Sequence, residues 1–146
     1  MMCTSISQGK ILAKFLPEET SDLFYSDESG TIEFGNYKDF GYKRENVILL
    51  WSLNALIDIL PLCENIYSED GIDIVKFGCK INFTKEDTFN KVEYSDFENG
   101  ILISIKESNS ISAIYNLINS LRKEVRKSKI RGILGRYKNL FKCARK

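Results

Sequence analysis

The chain has 146 residues, with 21 Lys and Arg against 20 Asp and Glu and no histidine. A chain of this length can remove roughly two-thirds of its unfolded surface from water, so a single domain over residues 1–146, ordered nearly throughout, is expected. Without histidine, Ser-His-Asp and Cys-His catalysis and the common Cys/His zinc sites lose their parts, leaving carboxylate, lysine or tyrosine chemistry as the routes to an enzyme.

The first residues, MMCTSISQGKILAKFLPEET, lack the basic start, long apolar run and small-residue cleavage site of a secretory signal, so a cytoplasmic setting is expected. There Cys3, Cys63, Cys79 and Cys143, none in a C-x-x-C spacing, read as reduced, small buried hydrophobes. GKILAKFL, residues 9–16, suits either a short helix or a strand, and Pro17 ends it. Residues 23–25 and 31–34 are β-prone runs around a polar stretch, a hairpin pattern in which Gly30 supplies the positive φ of the turn.

Residues 46–62 form the most apolar window and hold the only tryptophan, Trp51. With Glu45 and Asn46 at its start and Pro61 at its end, it reads as a central helix of about four turns. It carries Asp58 and Asn54 and stops at a proline, short of the roughly 20 apolar residues of a membrane span. On such a helix Trp51 is either a core residue beside a thin polar stripe or, with Asp58, an interface anchor.

Asp70-Gly71 then separates two strand-like runs, and Val75, Phe77, Cys79, Ile81 and Phe83 alternate with polar or small residues, implying one buried and one wet face. KEDT, then FNKVEYSDF, then Glu98-Asn99-Gly100, then ILISI read as turn, strand, turn, strand. Ser108, Asn109 and Ser110 are helix caps for a one-sided helix of Ile111, Ile114, Tyr115, Ile118, Leu121 and Val125, and a second such pattern follows from Ile130 to Phe141. The expected fold is therefore α+β: an antiparallel sheet of consecutive hairpins packed against a central apolar helix and two C-terminal helices.

Charge is unevenly spread. Residues 122–146 hold eleven Lys and Arg and one acid, a net of +10, so residues 1–121, with ten bases and nineteen acids, carry −9. The basic end suits nucleic-acid phosphates through Arg122, Lys123, Arg126, Lys127, Lys129, Arg131 and Arg136, with Tyr137 to stack on a base. It also suits an anionic membrane surface, or plain docking on the core. Most of the acids fall on predicted turns, where they are either solvated loop charges or a negative face for a protein partner made by Glu69, Asp70, Asp73, Glu93, Asp96 and Glu98, alongside Trp51 and Asp58. No G-x-x-x-x-G-K-[ST] or G-x-G-x-x-G phosphate cradle is present, and nothing in the spacing calls for a metal or cofactor.

A small α+β chain rich in Asn, Lys and Ile, with acidic hairpin turns such as SEDGID and YSDFENG, resembles the bacterial immunity proteins of contact-dependent growth inhibition and related toxin systems. The resemblance implies a non-enzymatic protein-protein interaction, in which a cognate toxin domain is bound and occluded. The basic C-terminus departs from the acidic character common among members that neutralise nucleases. A nucleic-acid-binding module is the alternative expectation, and a carboxylate enzyme the third.

Overall fold

The computed structural model describes residues 2–62, 65–67, 73–75, 79–128 and 132–142. The fold is α+β, and the chain gathers into two compact units, Met1–Leu60 with Lys138–Lys146, and Pro61–Tyr137.

In the first unit, α1 (Ile6–Leu12) makes the first half of the 9–16 segment helical and ends at Leu12, before Pro17 is reached. Ser5 accepts from the Gln8 amide while the Gln8 side chain accepts from the Ser5 amide, a reciprocal cap that satisfies two free donors. The hairpin forms as expected, β1 (Leu23–Ser26) against β2 (Ile32–Phe34), with Gly30 at φ +69°. β3 (Val47–Leu50) pairs with the other edge of β1, giving the order β2-β1-β3. α1 packs against β3 so closely that Gly9 leaves no space for a side chain.

The four-turn central helix is not there. Residues 47–50 form a strand, and helix begins only after Ser52, as α2 (Leu53–Ile59). The run Val47-Ile48-Leu49-Leu50 satisfies β1 with its backbone and the core with its side chains, which a helix there would not do. Ser52 is the true N-cap, accepting from the Ala55 amide at 3.1 Å, and Asp22 holds Ser52 by accepting from its amide at 2.9 Å and from its hydroxyl. Pro61 does end the helix, for Leu60 is extended at φ −85°, ψ 137°.

In the second unit, β4 (Asn65–Tyr67) and β5 (Asp73–Val75) form an antiparallel pair. β6 (Cys79–Lys85), β7 (Asn90–Asp96) and β8 (Ile101–Glu107) form a second antiparallel sheet in the order β6-β7-β8. The long alternation from Val75 to Phe83 is thus divided between β5 and β6, and Phe77 lies outside the described residues.

α3 (Ser110–Lys127), capped by Asn109 accepting from the Ser112 amide at 2.8 Å, lies on one face of this sheet. It buries Ile111, Ile114, Ile118, Leu121 and Val125, while Val92 and Tyr94 are buried on the sheet. The change in charge at Arg122 falls inside α3. Beyond it the second C-terminal helix is reduced to α4 (Ile133–Arg136), introduced by Gly132 at φ +86°, and a 3₁₀ turn, Lys138–Leu140. Gly135 lowers helix propensity by about 1 kcal/mol relative to alanine. No helix among the described residues is long and apolar enough to cross a membrane.

Candidate interaction surface

Alternation along β7 and β8 sets two faces. Val92, Tyr94 and Asp96 point to the α3 side, as do their register partners Ile105, Ile103 and Ile101. The opposite face carries Asn82 and Thr84 from β6, Lys91, Glu93 and Ser95 from β7, and Leu102, Ser104 and Lys106 from β8. Such a face is expected to be polar. Leu102 is the exception, 76 % exposed, and just past the end of β7 stands Phe97, 68 % exposed. Ser95 is paired with Leu102, so the two large apolar groups flank a small residue over a depression of about 210 Å³ that Asn82 and Glu93 also line. Glu93 is bridged to Lys91 at 3.6 Å.

The turn that presents Phe97 is fixed from beneath. Asp96 is completely buried and accepts from the Asn99 amide at 3.3 Å and from Asn99 Nδ2 at 2.6 Å, and Gly100 closes the turn at φ +68°. The other donors to Asp96 come from the C-terminal segment: Tyr137 Oη at 2.7 Å and Arg136 Nη1 at 3.4 Å, while Arg136 Nη2 reaches Glu98 at 2.7 Å. Tyr94 Oη lies 3.0 Å from Tyr137 Oη and 3.0 Å from the Pro61 carbonyl, two acceptors for its single proton because Tyr137 gives its own to the carboxylate.

Burial pushes the Asp96 carboxyl up, but Asn99, Tyr137 and Arg136 together outweigh it, so its pKa lies below the usual 3.8 and the group is ionised. Burial above all raises both tyrosines, which stay neutral donors, and burial likewise raises the thiol of Cys79 in the same cluster. Cys79 is a buried thiol of the expected kind, and Cys63 and Cys143 lie outside the described residues.

These contacts correct four of the expected site residues. Trp51 has no exposed surface: its Nε1 donates to Thr20 Oγ1 at 2.9 Å and its amide to Thr4 Oγ1 at 3.1 Å, so it is a core residue rather than an interface anchor. Asp96 is a buried structural carboxylate and offers no charge to a partner. Tyr137 is wholly buried and cannot stack on a base, and Arg136 spends its charge on Asp96 and Glu98.

The remainder divide by position. Glu93 and Glu98 lie beside the Phe97 and Leu102 pair. Asp58 is exposed on α2 in the first unit, where with Asn54, Glu19 and Asp22 it lines a depression of about 370 Å³. Lys123, Arg126 and Lys127 are exposed on the last turns of α3 and Arg122 is half-buried there, a place where the helix dipole favours cations. Asp73 belongs to β5, and Glu69, Asp70, Lys129 and Arg131 lie outside the described residues. Among the described residues no group of three or more Cys, Asp and Glu is placed to hold a metal ion.

Phe97 and Leu102 were not among the expected site residues. Leu102 was readable, since Ile101, Ile103 and Ile105 claim the buried side of ILISI and leave a leucine on the wet side. Comparison with protein-family models, with curated proteins and with solved structures finds no match to this chain.

Proposed function

We propose that the chain is a non-enzymatic protein-binding inhibitor of the immunity-protein kind, which acts in the cytoplasm by occluding a cognate toxin domain. The observation that carries the reading is the face of β6-β7-β8 away from α3, where Phe97 and Leu102 stand exposed next to Glu93 and Glu98. Single exposed apolar residues are ordinary, but two large ones lining one depression at the end of a sheet, beside Glu93 and Glu98 that are ion-paired to Lys91 and Arg136, fit an anchor patch with a charged rim. The buried Asp96 cluster holds the Phe97 turn in place before binding, which lowers the ordering cost of association. The test is calorimetric titration of the purified chain with the toxin domain encoded beside it. Wild type binds, and Phe97→Asp with Leu102→Asp loses at least tenfold in affinity while keeping the wild-type circular dichroism; unchanged affinity in that variant rejects the surface.

The second reading, a nucleic-acid-binding module, draws on the exposed Lys123, Arg126 and Lys127 with Arg122 on α3. It has lost Arg136 and Tyr137 to the Asp96 cluster. A salt titration with generic duplex DNA or RNA separates the two: affinity that falls steeply with salt supports it, and no binding at low salt removes it.

A further inference from the structure

β8 is an edge strand, and we infer that it pairs antiparallel with β8 of a second copy of this chain, joining two sheets into one. Among the described residues β8 bonds to β7 alone, so along seven residues its outer N–H and C=O groups have no strand beside them. Ile101, Ile103 and Ile105, which face the α3 side, remain half-buried where Val92 and Tyr94 of the neighbouring strand are fully buried, so apolar surface is left at this edge for an added strand to cover.

Monomeric proteins usually guard such an edge with charge, especially lysine. Both charges of β8 are turned elsewhere: Lys106 Nζ lies 5.1 Å from the Phe89 ring, and Glu107 accepts from Asn116 Nδ2 at 2.7 Å. The opposite edge, β6, carries Lys85 and no acid among its described side chains, whereas the charges of β8 cancel.

The occupant is specified by register. A two-fold axis perpendicular to the sheet must pair residues that share a face, and centring it on Ser104 places Ile103 opposite Ile105 and Leu102 opposite Lys106. No like charges then stand opposite each other. The pairing leaves Phe97 and Glu93 open but draws on Leu102, which the toxin-binding surface also uses, so the dimer is tested on the chain alone, with no toxin present.

Light scattering behind size-exclusion chromatography, over a micromolar to submillimolar range of the full chain, tests it. Wild type is expected to dimerise with rising concentration. Ser104→Lys and Ser104→Glu, both at an exposed position, each weaken the dimer about fivefold by setting like charges on the axis, and an equimolar mixture of the two restores it. A wild-type chain that stays monomeric throughout, or a dimer that neither substitution disturbs, overturns the inference.

Discussion

The two units bury their largest polar side chains by different means. In Met1–Leu60 with Lys138–Lys146 the largest buried side chain, Trp51, meets neutral hydrogen-bond partners among the described residues, Thr20 and Thr4, and Thr20 passes the bond on to the Pro17 carbonyl at 2.6 Å. In Pro61–Tyr137 the centre is an ionised carboxylate, Asp96, held by Tyr137, Asn99 and Arg136, with Tyr94 bonded to Tyr137 behind them. A neutral relay costs little to bury and responds little to pH. A buried carboxylate is worth keeping only while every lone pair is met, so the second unit is the more specific and the more fragile.

The sharpest way to break this contrast is Asp96→Ala, which strands Tyr137, Asn99 and one arm of Arg136 together. Loss of one partner from a buried ionic cluster costs about 3–5 kcal/mol, read as a fall in the urea midpoint. The counterpart in the first unit is steric: in Gly9→Ala the new Cβ would collide with the Leu49 carbonyl oxygen, and such overpacking against backbone costs about 3 kcal/mol in the same measurement. Tyr137→Phe keeps the ring and removes one donor to the carboxylate, for about 2 kcal/mol.

Acid comes next. The pKa of Asp96 is lower folded than unfolded, so its contribution is complete above the ordinary carboxyl value of 3.8 and is lost as pH falls through the folded value. Urea midpoints measured downward from neutrality should therefore drop below about pH 4, less so in Asp96→Asn. The smallest effect belongs to the candidate surface itself: Leu102→Ser should change stability by less than about 0.5 kcal/mol, as exposed positions do. A large loss there would mean that Leu102 is structural and would remove half of the anchor pair.

Local chemistry was legible where one rule decided the outcome. Gly30 and Gly100 marked their turns, and α3 takes its cap, Asn109, from the three candidates that Ser108, Asn109 and Ser110 offered. Residues 46–62 were misread because an unbroken apolar run has no period, and the deciding signal was Ser52, a cap that looked like a minor interruption. The Asp96 cluster was out of reach for a different reason. Its members, Asp96, Asn99, Arg136 and Tyr137, are separated by up to 41 residues, and only the fold brings an acid of the turn against cations of the tail. That long-range pairing is also why Arg136 and Tyr137 looked available to nucleic acid.

The central claim is that the exposed face of β6-β7-β8 with Phe97 and Leu102 binds the proposed partner. Amide hydrogen exchange on the chain alone and in complex with a candidate toxin domain addresses it directly. Added protection is expected over residues 79–85 and 90–104, greatest around Phe97 and Leu102. Protection that falls instead on the first unit, at Phe34, Phe40 or Asp58, with 90–104 unchanged, would contradict the account.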